Sequence, residues 1–415
     1  MPVDANHADA AGPIPLTLGV TAHRDPPNDE IPVIEARVQA LFQALEERYP
    51  DTPLRLISPL ADGGDRIAAR VARARGIELV VPLPLPVEEY EQDFQDPESR
   101  REFRDLLETA RVVDLPALAG DEEGEHDRDE GHDDDRVRAY ARVGVYTSDH
   151  CQILIAIWDG KPAASRGGTA DVVDYHQYGQ MIPRPYGDND GHDDGLDNRR
   201  GLAPDDTDLV FHIVCSRDRP DGAPADGLQP GTARWLVTDP DRKEIPDIPI
   251  AQDLMLKRTG AFNRDQLALP PDDALADRLP GWRDDLVGET DLVRTATYFS
   301  RADRLAARFR RRYRAALRLL YLFAALMGVA FIAYADLDRA EMIAAYLGLF
   351  FLGWVVYRIA ARREWHRKFL DYRALAEGLR VQFYWRLAGV SGQLRNDFAY
   401  DNFLHKQEVE IGWIR

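Results

Sequence analysis

Apolar residues in the first two thirds of the chain fall into two alternating patterns. IPLTLGVTAH, LRLISPL, IELVVPLPL, RVVDL and CQILIAIWDG are short, continuous and bounded by turn residues. Runs of this kind predict strands buried on both faces. Helical spacing fills the intervals. From Ile31 to Tyr49, the residues Val33, Ile34, Val38, Leu41, Phe42 and Leu45 share one stripe. Ala61 to Arg75 reads as a turn leading into a helix, and Phe94 to Ala110 as a polar helix. The helix after Gly168 and the strand LVFHIVC belong together, and RWLVTD is a further strand or the start of the exit. Strands alternating with amphipathic helices predict an α/β domain over residues 13–240, built on a doubly wound, mostly parallel sheet. Residues 241–285 carry many Pro and Asp and read as a linker, and residues 1–12 as a disordered N-terminus.

The pattern changes in the last third. Leu319 to Ala335 is free of charge, and so is Met342 to Tyr357. A spanning helix needs about 20 apolar residues, with a lower limit near 17. Spans at about 317–335 and 342–361, joined by the short link from Asp336 to Glu341, predict a transmembrane helical hairpin in an all-α domain over 286–415. Helical spacing continues outward on both sides. Leu292, Ala296, Phe299, Ala302, Ala306, Phe309 and Tyr313 recur at steps of three or four, and Trp365, Phe369, Tyr372, Ala376, Leu379 and Phe383 follow a heptad seam. Such a seam pairs within one chain or between chains. Neither span carries an ionisable residue in its middle, which argues against a proton relay or coupled transport. One hairpin cannot enclose a water path, so a pore requires several copies and a homo-oligomer is expected.

Charge sharpens this division. The 415-residue chain has a net charge of −19, which excludes nonspecific nucleic-acid binding. Residues 301–380 nevertheless hold 16 basic against 7 acidic residues, a net of +9, which leaves −28 for the remainder. Arginines flank the hairpin at Arg310, Arg311, Arg312, Arg314 and Arg318 on one side and at Arg358, Arg362 and Arg363 on the other, whereas the link carries only Arg339. By the positive-inside rule both long flanks, and both termini, are cytoplasmic, in a two-span protein of the inner membrane. The opening MPVDANHADAAGP has no basic segment and no apolar core, so no cleaved signal peptide is expected.

In doubly wound sheets ligands bind beyond the carboxyl ends of the strands. Three such ends carry glycines, hydroxyls or arginines. The first holds Gly19, Thr21, His23 and Arg24; the second Ser58, Ala61, Asp62, Gly63 and Arg66; the third Asp159 and Gly160, then Arg166, Gly167, Gly168 and Thr169. Glycine lets a backbone approach a phosphate, helix N-termini present free N–H groups, and Arg24 and Arg66 suit bidentate phosphate contacts. A nucleotide-like ligand follows, with no separate cofactor. GxxxxGK[ST] is missing, which disfavours a Walker-type ATPase. Acidic stretches at 120–136 and 186–208 hold His126, His132 and His192, but blocks of like charge read as solvated insertions and not as a metal site. Cys151 and Cys215 lie in apolar strand-like runs and are expected to be buried, without a disulfide framework.

The GVTAHRD turn, the SPLADGGDR turn and the WDG…RGGTADVV segment resemble the SLOG superfamily, the Rossmann-like fold shared by DNA-processing Smf proteins and Lonely-guy enzymes. The hairpin with REWHRKFLDYRALAEGLRVQFYWRLAGV resembles the SLATT family of two-span modules. The resemblance implies an antiphage or conflict effector, in which the first domain senses a nucleotide-derived second messenger, such as a cyclic nucleotide or ADP-ribose derivative, and the second forms a pore or disrupts the membrane. Carried onto this chain, it makes Gly19, His23, Arg24, Ala61, Asp62, Gly63, Arg66, Gly160, Gly167, Gly168 and Thr169 the ligand contacts. The alternative is a membrane-tethered, Lonely-guy-like nucleotide N-glycosidase. GGTADVV lacks that branch's second glycine–threonine step and places Asp171 where an acid would be sought; Asp159 and Asp171 are the candidate carboxylates.

Overall fold

The computed structural model describes residues 12–115, 131–163, 166–179, 181, 209–238, 242–270, 290–337 and 339–388. They divide into two units, Pro13–Asn263 and Arg264–Val390, the second also taking Gly12.

The first unit is a three-layer α/β structure. Strands β1 (Leu16–Ala22), β2 (Leu54–Ile57), β3 (Glu78–Leu83), β4 (Arg111–Asp114), β5 (Ile153–Trp158), β6 (Val210–Val214), β7 (Ala233–Thr238) and β8 (Arg242–Ile245) form one sheet in the order β4-β3-β2-β1-β5-β6-β7-β8. The first six pair in parallel; β7 and β8 add antiparallel at one edge. The mostly parallel, doubly wound sheet expected from the continuous apolar runs is therefore present. Winding starts at β1 and moves outward to β4, then crosses back to β5 on the other side of β1. Side chains along β5 alternate between the two faces. Ile153, Ile155 and Ile157 join the core that holds α1 (Ile31–Arg48), α2 (Gly64–Ala74) and α4 (Pro97–Leu107); Leu154, Ala156 and Trp158 join the core that holds α5 (Gly131–Asp149) and α6 (Thr169–Tyr178). α1 buries Ile34, Val38, Leu41, Phe42 and Leu45, while Val33, on the same apolar stripe by sequence, is exposed. α4 is capped by Asp96, whose side chain accepts from the Glu98 N–H at 3.0 Å. Cys151 and Cys215 are buried, as expected.

Three elements differ from expectation. Residues 131–136, read as part of an acidic insertion, form the start of α5; its inward face, Ala139, Ala141, Val143 and Val145, is made of small residues that blur the helical signal. Residues 241–285, read as a linker, include β8 and α7 (Ile250–Leu267). Pro246, Asp247 and Pro249 lie between that edge strand and the helix start, and the rest of the linker reading, 271–285, lies outside the described residues. α7 is tied down by Asn263, whose amide bonds Ile14 N and O at 2.8 Å each and Asp51 O at 2.9 Å. Arg48 and Tyr49 hold its Asp253 from the end of α1. The remaining insertion calls, 120–130 and 186–208, and the N-terminal residues 1–11 lie outside the described residues.

The second unit consists of long helices. α8 (Thr290–Leu337) holds residues 317–335 in its C-terminal part, α9 (Glu341–Arg362) holds 342–361, and α10 (Trp365–Leu387) follows after a break at Arg363 and Glu364, where Glu364 adopts φ +50°. The heptad seam pairs within the chain. Leu292, Ala296, Phe299, Ala302, Ala306 and Phe309 of α8 are buried, as are Tyr372, Ala376 and Phe383 of α10, with Phe309 and Tyr372 edge to face at 5.7 Å. Arg373 bonds Asp303 at 3.0 Å and Arg386 bonds Thr295 at 3.0 Å. Stretches within Leu292–Asp336 and Glu341–Leu387 are long and apolar enough to cross a membrane. At about 1.5 Å per residue, α9 alone matches a hydrocarbon core of roughly 30 Å. Its surface is apolar around its whole circumference, with Leu347, Phe350, Phe351, Trp354 and Tyr357 exposed.

Leu18 stands at the centre of β1, fully buried between β2 and β5. Replacing Leu18→Ala is expected to cost about 2–5 kcal/mol of stability, read as a fall in the denaturant midpoint without a change in slope.

Candidate functional site

The strand order places a reversal between β1 and β5, and a cleft of about 560 Å³ opens beyond their carboxyl ends. This is the position at which doubly wound sheets bind ligands. The turns after β1, β2 and β5, the start of α6, one side of α5 and the chain after β6 build its walls.

After β1 the chain turns at His23. Its N–H still donates to Ile157 O of β5 at 3.0 Å, and its carbonyl accepts from Gly64 N–H at 3.0 Å. Thr21, His23 and Arg24 line the cleft, and the Arg24 guanidinium lies over the Tyr140 ring at 5.2 Å. After β2 the turn is tight: Leu60 takes φ +58° and Gly63 φ +80°. A Cβ on Gly63 would stand 2.5 Å from Arg24 O, and one on Gly64 would stand 2.4 Å from Ala22 Cβ. Glycines at both places let α2 begin directly beneath the β1 turn. After β5, Asp159 lines the cleft, buried, and accepts from Lys161 N–H at 3.1 Å. The loop Arg166–Gly167–Gly168 then leads into α6. Gly167, at φ +72°, approaches the α5 backbone at Ala141, and its N–H donates to Asp171 Oδ2 at 2.7 Å. Arg166, Gly167, Gly168 and Thr169 line the cleft, so the start of α6 borders it.

Of the residues singled out in the sequence, the cleft thus gathers Thr21, His23, Arg24, Ala61, Asp159, Arg166, Gly167, Gly168 and Thr169. The others lie outside its lining. Gly19 is inside β1, where a Cβ would meet Thr147 at 2.8 Å and Cys151 at 2.9 Å: it admits α5 to the sheet. Ser58 bonds Leu60 N–H at 3.2 Å and Asp65 O at 3.3 Å. Arg66, read as a phosphate arm, is 2 % exposed and spent internally. It donates to Leu60 O at 3.0 Å and to Ser99 O at 2.7 Å, pairs with Asp62 at 2.9 Å, and lies over the Phe94 ring at 4.2 Å. Asp62 also accepts from Ser99 Oγ at 2.5 Å. Gly63 serves the turn, and Gly160, at φ +80°, the bend after β5. Asp171, a candidate catalytic acid, is fully buried and holds the Gly167 loop. His126 and His192 lie outside the described residues, and His132 stands in the first turn of α5.

Sequence reasoning did not select six further ionisable cleft residues: Asp65, Tyr90, Tyr140, Lys161, Arg217 and Arg219. Tyr90 comes from α3 (Val87–Tyr90), a single turn, and Tyr140 from the unforeseen α5. Arg217 and Arg219 follow β6, a fourth parallel strand end at the same edge, which is the signal that would have found them. Arg217 donates to Asp25 Oδ1 at 2.8 Å, and Lys161 Nζ to Asp221 O at 2.8 Å.

Cations outnumber carboxylates here. Arg24, Lys161, Arg166, Arg217 and Arg219 surround the cleft against Asp65 and Asp159. His23 Nε2 lies 3.1 Å from Asp159 Oδ1, off the line of a good hydrogen bond. Burial pushes the His23 imidazole below its usual range despite the opposing pull of Asp159, so the ring is neutral at neutral pH. Burial tends to raise the Asp159 carboxyl, but the Lys161 N–H and His23 outweigh it and keep the group ionised. The arrangement suits an anion such as a phosphate at the glycine loop, with a neutral His–carboxylate pair beside it.

No family model matches the chain, and no curated protein does. A solved structure that matches is DNA processing protein A (DprA) from Streptococcus pneumoniae, 16% identical, with a TM-score of 0.21. The alignment covers 36% of this chain and spans less than half, 42%, of that one. The fold of the first unit is established by its own strand order and crossover.

Arg66→Met is expected to lower stability by about 1–3 kcal/mol, because the Leu60 and Ser99 carbonyls lose a buried donor, while Asp62 stays partly exposed and bonded to Ser99. Thermal unfolding across a ligand series separates this from a binding role: the melting temperature falls, while the shift produced by any bound ligand persists.

Proposed function

We propose that the chain is a membrane effector switched by a nucleotide-derived ligand. What carries this reading is the cleft at the strand-order reversal. A glycine loop, the start of α6 and five cationic side chains converge there, in a chain that also bears two helices long enough to cross a bilayer. The cleft volume falls within the ordinary range for small-molecule sites, about 300–1,000 Å³. The resemblance to SLOG–SLATT pairings adds the biological role: a second messenger made during phage infection or conflict binds the first unit, and the inner membrane is breached.

The mechanism is a population shift. The ligand favours one arrangement of the protein by binding it better than another. One hairpin has too few helices to enclose water, so the responding element is an assembly of several copies, with both termini on the cytoplasmic side. The uncharged helices suit a breach that opens by packing rather than by a proton relay.

A second reading has one observation in its favour. The His23–Asp159 pair at the cleft wall is an acid–base combination next to the expected phosphate, as a tethered N-glycosidase would need. In that case Asp159, and not Asp171, is the residue to test, because Asp171 holds the loop.

The two readings separate in one experiment on the full-length protein in dye-loaded liposomes. Cyclic nucleotides, ADP-ribose isomers and nucleoside monophosphates are added, and leakage, thermal shift and product are followed together. The effector reading expects selective leakage and a thermal shift, with the ligand recovered intact. Turnover without leakage, abolished by Asp159→Asn, overturns it in favour of the enzyme.

A further inference from the structure

Asp65 is the second residue of α2 and lines the cleft, yet it is only 4 % exposed. Its carboxylate is reached by the Ala61 backbone N–H, while Oδ1 has no hydrogen-bond partner. A buried acceptor left unmade bears the full cost of its desolvation, so such an atom calls for a reason. The charged neighbours do not supply one. Arg66 directs Nε and Nη1 to Leu60, Ser99 and Asp62 while its Nη2 makes no bond to Asp65, and Arg24 lies over Tyr140.

The cleft has two unlike ends. Lys161, Arg166, Arg217 and Arg219 come from the chain beyond β5 and β6, on one side of β1. Asp65 enters from beyond β2, on the other side, together with the ring of Tyr90. A phosphate meets four cations against Asp159 at the first end, but only Arg24 beside a carboxyl at the second. The second end suits an uncharged, flat group that carries a donor.

We propose that Asp65 selects the ligand of the cleft by accepting, at Oδ1, a hydrogen bond from a neutral donor on the nucleoside part of a nucleotide, either a sugar hydroxyl or a base amino group. This role presupposes that the cleft binds a nucleotide. Asp65 is then a binding residue that discriminates nucleotides from simple phosphates.

Its ionisation provides a second readout. Burial pushes the Asp65 carboxyl up to about 8, against the pull of Arg24, the Ala61 N–H and Arg66. Arg24 from the β1 turn, Arg66 from α2, and Tyr90 from α3, with Tyr140 and Asp93 beyond, are the titratable and charged groups around it. A ligand donor favours the ionised form. Binding therefore releases a proton, and affinity rises as the pH increases from about 6.5 to 8.5.

The test is calorimetric titration of the full-length protein in detergent micelles at pH 8.5. The probes are AMP, 2′,3′-dideoxy-AMP, IMP and inorganic pyrophosphate. Asp65→Asn is expected to weaken AMP about tenfold or more and to leave pyrophosphate unchanged. The analogue whose binding no longer responds to the substitution identifies the donor: dideoxy-AMP for a hydroxyl, IMP for the amino group. Equal AMP affinity in the variant, or equal loss for AMP and pyrophosphate, overturns the role of Asp65. A flat pH profile of AMP affinity in the unaltered protein overturns it too, with no need for a folded variant. If the unaltered protein binds none of the four probes, the nucleotide reading of the cleft fails, and this role with it.

Discussion

The contact between Gly63–Gly64 and the turn after β1 is the one on which the cleft depends. The Gly64 N–H reaches His23 O at 3.0 Å, and neither glycine has room for a Cβ. This contact brings the start of α2 under the end of β1 and sets the positions of Arg24 and Asp65 together. On the other flank, the His23 N–H remains paired to Ile157 of β5. The turn is thus held from both sides by main-chain bonds, which leaves its side chains free to face the cleft. Rigid backbone with polar side chains at the strand ends is what a doubly wound sheet offers at its reversal point.

Much of the sheet was legible because parallel strands buried on both faces leave largely apolar runs: β5 is unbroken, and β1, β2 and β6 are interrupted only by Thr17 and Thr21, Arg55 and His212. The glycine turns were legible for a related reason, since positive φ and close approach select glycine. What stayed hidden depends on distance along the chain. Arg66 looks like a phosphate ligand in SPLADGGDR, and only its bonds to Ser99, 33 residues on, show where the guanidinium goes. Asp65, adjacent in the same turn, looked like an ordinary turn residue, and its burial places it in the cleft. α5 was hidden because an acidic run leads into it and its buried face is made of small residues.

The two long apolar helices were legible by composition, since uncharged runs of this length stand out from an amphipathic pattern. The heptad seam left the pairing open between one chain and several. Within the unit, α8 and α10 resolve it by packing together through Phe309 and Tyr372, which leaves α9 and the second half of α8 as the exposed apolar pair.

The break at Arg363–Glu364 has a mechanical meaning. A continuous helix transmits torque along its length through its ladder of backbone bonds, and a residue at φ +50° interrupts that ladder. The facing of α9 is therefore decoupled from the facing of α10 along its seam with α8.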